Sequence, residues 1–412
     1  MKQEILFLCH RIPFPPNRGD KIRSHNIVKR LARIAPVHIG CFADDDADMG
    51  EEFELAAIAA SYRLVRRSKP LALAGLQSLV RGCSISRTAF EDGTLASYVA
   101  ELTASRRIGT IYLFSGQMGQ YVPADFAGRL IADFVDVDSA KFEAYGARKR
   151  GVMAWVDARE GRKLRAEEAA LADRAGVSLL VSDAEAALFC ARLPEAIRAH
   201  AQVRTLANGI DSAYFDPGLV NSEPRLRALP APRLIFTGQM DYRPNVEAAL
   251  RVARQILPLI RHHLPEASFH VVGRNPTAEL LAHNGHAGVH VWGAVEDIRG
   301  WIKAADMAIV PLDIARGVQN KVLEAMAMER PVILSTAALT GIEAVPGHHF
   351  IEANSDEECA AAVIALAADP QRARGVGFAA RRFVCERQSW RATLVPLPGL
   401  LGEPAPACRD AA

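Results

Sequence analysis

Short, continuously apolar runs alternate along this chain with stretches whose apolar residues recur at helical spacing. Ile5–Cys9 is the first such run, as expected of a strand buried on both faces. A loop rich in proline and glycine follows (Pro13, Pro15, Pro16, Gly19), and Asp20 then opens a helix carrying Ile27, Leu31 and Ile34. Val37–Phe42, Thr110–Phe114, Arg129–Phe134 and Val177–Val181 read as further strands, with helical stretches between them. The second half repeats the theme, with strands expected at Leu234–Thr237, Ser268–Val272, Val289–Trp292, Met307–Val310 and Val332–Leu334. Helices are expected near 245–262, 296–304, 319–329 and 356–368. The pattern predicts an α/β protein of two Rossmann-like, doubly wound domains facing a cleft.

At 412 residues, half of them hydrophobic, the chain can fill two cores. The turn-rich, proline-bearing stretch Ala207–Pro232 separates the halves. The expected division is 1–206, a linker at 207–232, a second domain at 233–386, and a segment at 387–412 whose Pro- and Ala-rich end, from about Glu403, frays. A net charge of +2 offers no general attraction to nucleic acid. Seven scattered cysteines without a CxxC pair argue against a disulfide framework or a zinc site, and fit a reducing cytosol. Met1-Lys-Gln-Glu runs directly into the first strand, which reads as a start without a signal peptide. No apolar run approaches the roughly 20 residues that span a bilayer, so any membrane contact is expected to be peripheral, at the inner face.

The most informative stretch is Ala315-Arg-Gly-Val-Gln-Asn-Lys-Val-Leu-Glu-Ala-Met-Ala327, between the apolar runs Met307–Pro311 and Pro331–Leu334. Strand, glycine turn, helix, strand is the expected order. A helix entered through such a loop offers unpaired N–H groups to an anion. Lys321 adds a positive charge and Glu324 follows one turn later. This suits a diphosphate beside a sugar hydroxyl, hence a nucleotide sugar, although Glu324 alone would read equally as a surface carboxylate.

Five motifs in order then carry a family resemblance: Phe236-Thr-Gly-Gln-Met-Asp-Tyr-Arg-Pro-Asn-Val-Glu-Ala248, Val271-Val-Gly-Arg274, Val291-Trp-Gly-Ala-Val-Glu-Asp297, Ala305-Asp-Met-Ala-Ile-Val-Pro311 and Asn320-Lys-Val-Leu-Glu-Ala-Met-Ala327. The second half resembles the nucleotide-binding half of GT-B fold glycosyltransferases of the retaining family 4. The opening His10-Arg-Ile-Pro-Phe-Pro-Pro-Asn-Arg-Gly-Asp-Lys-Ile-Arg-Ser24 is similar to a subgroup associated with bacterial exopolysaccharide and PEP-CTERM gene clusters. The resemblance implies that Glu324 holds the donor ribose and Lys321 the diphosphate. Gly317 and Val318 would meet the donor sugar and phosphate, with Asn320 beside them. Gly273, Arg274 and Val295 would surround the base, and Gly19 would close over the phosphates. Gly238, Arg243 and Asn245, in the first of the five motifs, join the donor set. The family's usual glutamate eight residues before Glu324 is Arg316, and its usual arginine after the first strand of this half is Gln239. The cationic role would then pass to Arg316 and Arg243.

On the acceptor side, Asp136-Val-Asp138 spells a DxD pair. It is open to three readings: a metal site, an acceptor-side or catalytic role for Asp136, or helix capping by Asp138 or Ser139. His10 ends the first strand and can assist an acceptor hydroxyl or serve the loop alone. The stretch 147–165 mixes cations with Met153, Trp155 and Val156, which suits an anionic membrane or a solvated helix face. The expected activity is metal-independent transfer of a sugar, with no cofactor, to a glycan or polyprenyl-linked acceptor. Domain closure would exclude water. A nucleotide-sugar 2-epimerase and a non-catalytic binding partner are the rivals.

Overall fold

The computed structural model describes residues 4–105, 107–313 and 318–402. They divide into two units: the residues up to Ala207 together with those from Leu394, and Asn208–Thr393. The first unit is built on seven parallel strands: β1 (Glu4–Cys9), β2 (Val37–Ala43), β3 (Ser61–Arg66), β4 (Ile108–Phe114), β5 (Arg129–Val135), β6 (Val177–Leu180) and β7 (Val203–Thr205). Their order is β3-β2-β1-β4-β5-β6-β7. The second unit holds β8 (Arg233–Thr237), β9 (Ser268–Val272), β10 (Val289–Gly293), β11 (Met307–Val310), β12 (Val332–Leu334) and β13 (Ile351–Glu352), in the order β10-β9-β8-β11-β12-β13 and again parallel. In each sheet the order reverses once, between β1 and β4 and between β8 and β11. Such switch points open a crevice beyond the carboxyl ends of the strands.

The central strands are the continuous apolar runs of the sequence. β1, β2, β4, β8 and β9 are buried along nearly their whole length because helices cover both faces. β3, β7 and β13 were not expected from the sequence, and all three are edge strands. The helix expected at 245–262 is regular only over Arg243–Arg251, widens into a π turn at Val252–Ile256, and resumes at Leu257–His263. Pro258 explains the defect: it has no N–H for the carbonyl one turn back. The segment 207–232 is no free linker. From Asn208 on it is built into the second unit, through Ile210 N–H donating to Gln388 O (2.8 Å), Trp390 N–H donating to Ile210 O (3.1 Å) and a buried Leu226. The last described turn returns to the first unit, where Arg129 donates to Leu400 O (3.2 Å) and Leu394, Leu397 and Leu400 are buried. Residues from Glu403 lie outside the described range. No described helix is long and apolar enough to cross a membrane.

One buried ion pair ties the first unit together. From the helix Gly19–Ala32, Arg23 donates through Nε and Nη2 to Asp133 on β5 (both 3.1 Å) and through Nη1 to Leu206 O (2.8 Å). Tyr112 Oη on β4 also donates to Asp133 (2.8 Å). Removing one partner of such a pair strands the other charge. Asp133→Ala is therefore expected to destabilise the protein by about 3–5 kcal/mol in urea unfolding. A loss below about 1 kcal/mol would show that Arg23 finds other compensation.

Candidate donor site

The second unit carries a cavity of about 490 Å³ at the carboxyl ends of β8, β9 and β10, beside the start of the helix Asn320–Ala327. Thr237 ends β8 and Gly238 follows it, Gly273 and Arg274 follow β9, Ala294 and Val295 follow β10, and Val318, Asn320, Lys321 and Glu324 line the remaining side. Two glycines allow this closeness. Gly238 has φ +147°, a region almost closed to side chains, and a Cβ there would meet Asn245 Nδ2 at 2.9 Å. A Cβ on Gly273 would collide with the carbonyl oxygen of Gly238. The two strand ends can therefore meet only as bare backbone.

Lys321 places an ammonium in this cavity. Its Nζ donates to Asn245 Oδ1 (2.6 Å) and stands 5.2 Å from the centre of the Phe236 ring. Asn245 is buried and is itself anchored by donating to Gln239 O (2.9 Å). Burial lowers the Lys321 ammonium to about 8, against the pull of Glu324. Burial likewise raises Glu324 to about 7, against the pull of Lys321. Among the described residues the Glu324 carboxylate has no hydrogen bond or ion pair. The amide N–H groups of Asn320 and Lys321 also have no acceptor there, and Gln319 before them supplies no side-chain cap. The cavity thus combines an ammonium and two helix-start amides for an anion with a free carboxylate that can accept from hydroxyls.

A pH dependence follows. A nucleotide sugar has no phosphate proton to lose near neutrality, so the protein's groups set the profile. Glu324 ionises above about 7 and Lys321 stays charged below about 8. Calorimetric affinity for a nucleotide sugar is expected to peak between these values and to fall toward pH ~6 and pH ~9. A flat profile would remove both groups from the contact.

One residue of the second unit expected at the donor site lies elsewhere. Arg243 does not line the cavity: its guanidinium is exposed and pairs with Glu247 (2.7 Å) one turn along its own helix. Arg274 does line it and donates to Gln239 Oε1 (3.1 Å). Arg316 and Gly317 lie outside the described residues. Thr237 and Ile298 line the cavity although the sequence marked neither, since a hydroxyl and a methyl carry little chemical signal.

The remaining candidates belong to the first unit. Gly19 heads the helix Gly19–Ala32 with open space around its Cα. His10, nearly buried, stacks on Phe114 (5.9 Å) with its Nε2 3.5 Å from Asp20. Burial would raise Asp20, but hydrogen bonds from His10, Arg18 and Arg11 hold it far below the usual carboxylate range. Asp136 is exposed, just past Val135, whose φ of +71° is unusual for a β-branched residue. Capping by Asp138 or Ser139 does not occur. The helix Asp138–Arg148 has no side-chain cap, and Ser139 instead donates its N–H (2.9 Å) and hydroxyl (2.6 Å) to Glu168. Burial raises Asp138 and lifts Glu168 to about 7. Among the described residues no group of three or more His, Cys, Asp or Glu side chains is placed to hold a metal ion.

Residues 231–369 match the model of a family described as glycosyl transferases group 1. Among solved structures, Anabaena HepE in complex with UDP superposes with a TM-score of 0.63 at 14% identity, over 97% of this chain and 99% of that one. The fold is GT-B. Sucrose-phosphate synthase from Thermosynechococcus elongatus (TM-score 0.62, 17% identity, 97% and 98% of the chains) and a glycosyltransferase from Rickettsia africae (TM-score 0.62, 13%, 97% and 98%) share it. Among curated protein sequences, none matches significantly. The matched segment contains every residue named above for the donor cavity, so the GT-B architecture and the family match meet on one site.

Proposed function

We propose that this chain is a retaining glycosyltransferase that moves a sugar from a nucleoside diphosphate to a glycan or polyprenyl-linked hydroxyl in exopolysaccharide biosynthesis. The observation that carries the reading is the presence of Lys321 and Glu324 in one cavity at the switch point of the second sheet, inside the matched segment. HepE binds UDP and UDP-glucose, which makes UDP-glucose the first donor to test. The C–O bond between sugar and diphosphate breaks as the acceptor oxygen bonds to the same carbon on the same face, and the acceptor's hydroxyl proton passes to an oxygen of the departing diphosphate. Negative charge then gathers on the departing diphosphate. Lys321 and the amides of Asn320 and Lys321 stabilise that charge in place, without reorganising. Glu324 holds the ribose by accepting from its hydroxyls. The acceptor side is assigned to the first unit, with His10 and Asp136 as its candidate groups. Arg316, next to Gly317, supplies a further cation for the phosphates.

Labelled UDP-glucose incubated with and without a bacterial lipid extract tests this directly. Label appearing in lipid or glycan only with extract is the expected result. A changed nucleotide sugar without acceptor would mean epimerisation, and binding without turnover would mean a non-catalytic partner. Transfer is expected to survive EDTA, because the diphosphate charge is met by Lys321, Arg316 and amides; abolition with rescue by Mn²⁺ would overturn this. Arg316→Lys is expected to lose much of the rate, since a point charge does not reproduce a two-pronged phosphate contact. Arg316→Glu is expected to lose more. A glutamate variant as active as the parent would end the cationic role of Arg316.

A further inference from the structure

The helix Leu71–Arg81 is built inside out. Its only buried residues are Ala74 and Ser78, one turn apart, while Leu71, Leu73, Leu76, Leu79 and Val80 are exposed, Leu76 to 60% and Val80 to 82%. It carries no charge before Arg81. An ordinary surface helix turns its large apolar side chains inward. Here the small residues do the packing and the large ones form a contiguous outer ridge, of the kind that marks an interaction surface.

A second exposed apolar patch lies on a neighbouring element. Arg159, on the helix Val152–Arg174, donates to Ser78 O (2.8 Å) and joins the two helices. One turn before Arg159 stands Trp155, 54% exposed, with Val152 and Met153 also exposed beside it. The helix Val152–Arg174 packs antiparallel to Asp138–Arg148, which begins just beyond β5. Glu168 meets Ser139 near the carboxyl end of β5, so the earlier turns, with Trp155, project past that edge of the sheet.

Charge on the Trp155 helix is sorted by sign. Every acid on the first part of Val152–Arg174 faces inward with a partner. Asp157 pairs with Lys149 (2.7 Å), Glu160 accepts from the N–H groups of Ile85 and Ser86, Glu167 accepts from Ser84, and Glu168 accepts from Ser139. Arg150, Arg162 and Arg165 face solvent. A solvated helix face would show both signs. The first part of this helix shows apolar side chains with exposed cations, complementary to anionic headgroups over an acyl layer, while at the far end of the ridge Arg81 pairs with the exposed Glu91 (2.6 Å).

We infer that the ridge formed by Leu71–Arg81 and the Trp155 end of Val152–Arg174 is a docking surface for an anionic lipid bilayer, into which Leu76, Leu79 and Trp155 insert. The surface belongs to the first unit and shares no residue with the donor cavity. Its use, to hold the carboxyl edge of the first sheet at a bilayer that carries a lipid-linked acceptor, rests on the transferase reading.

Flotation of the full chain with two kinds of vesicle tests it: phosphatidylcholine alone, and equal parts phosphatidylcholine and phosphatidylglycerol. Binding is expected on the mixed vesicles and should decline with salt. Trp155 emission should shift to the blue on binding, and the shift should vanish in Trp155→Phe. Leu76→Ser combined with Leu79→Ser is expected to weaken partition by at least about tenfold. Arg150→Glu combined with Arg162→Glu should abolish the preference for anionic vesicles. UDP binding measured in parallel should be unchanged in all of these exposed-site variants, which separates failure of the surface from failure of the donor site. The inference is overturned by no partition, by equal partition onto both vesicles, or by a soluble dimer that the Leu76/Leu79 variant dissociates, since a second copy would then cover the ridge.

Discussion

Lys321→Ala is expected to weaken UDP-glucose binding by roughly 10- to 150-fold, the loss of one charged hydrogen-bonding partner at about 1.5–3 kcal/mol. Two effects add. The phosphates lose the ammonium that Asn245 holds in position, at 2.6 Å. Glu324 loses the charge that offsets its burial, so its carboxyl rises further above 7 and takes up a proton at neutral pH. A neutral carboxyl accepts more weakly from ribose hydroxyls. Glu324→Gln isolates that second effect and is expected to cost about tenfold. Both residues are half-buried in a cavity wall, so thermal unfolding should change little. Calorimetry on folded variants decides the matter: parental affinity in both would take the diphosphate and ribose away from this helix.

Gly273→Ala is the second large effect. The added methyl has no free position, because it would fall on the carbonyl of Gly238. Rotation of that carbonyl is blocked in turn. The backbone that follows it is tied down, since Met240 N–H donates to Arg274 O (2.8 Å) and Asn245 Nδ2 donates to Gln239 O (2.9 Å). The ends of β8 and β9 must separate. A destabilisation of about 1–3 kcal/mol or more is expected in urea unfolding, with at least tenfold weaker donor binding as Lys321 and Arg274 part. An alanine variant with parental stability and affinity would mean that the contact yields easily and plays no part in shaping the cavity.

What the sequence could show follows from where its signals arise. A continuously apolar run records burial on both faces, so β1, β4, β9, β11 and β12 were legible almost to the residue. Edge strands pair on one side only. β3 reads Ser-Tyr-Arg-Leu-Val-Arg, half-exposed throughout, and β13 has two residues, so neither carries a run to detect. The helix Pro370–Phe383 was hidden by Gly375 and Gly377, poor helix formers. Gly377 is explained only by the backbone of Glu329 pressed against it. Of the residues expected at the site, Gly238, Asn245, Gly273, Lys321 and Glu324 line the cavity, and each lies just after a strand or in the first two turns of a helix. Arg243 shares that kind of position, but its side chain points along its own helix, a choice of rotamer that spacing does not encode. The ridge of Leu71–Arg81 was illegible for a related reason. Leu-Ala-Leu-Ala-Gly-Leu reads as core until one sees that the alanine, not the leucines, faces inward.

The return of Leu394–Gly402 to the first unit has a consequence for how the protein is made. In chain order the second unit is an insertion: everything from Asn208 to Thr393 is synthesised before the closing turn of the first unit exists. At ~5–20 residues per second a ribosome needs roughly 10–40 s to cross that interval. The half encoded first is thus completed last. A fragment ending near residue 207 lacks Leu394, Leu397 and Leu400, whereas 208–393 contains all of its own sheet. Nascent chains stalled at increasing lengths should therefore show the second half becoming protease-resistant before the first half is finished.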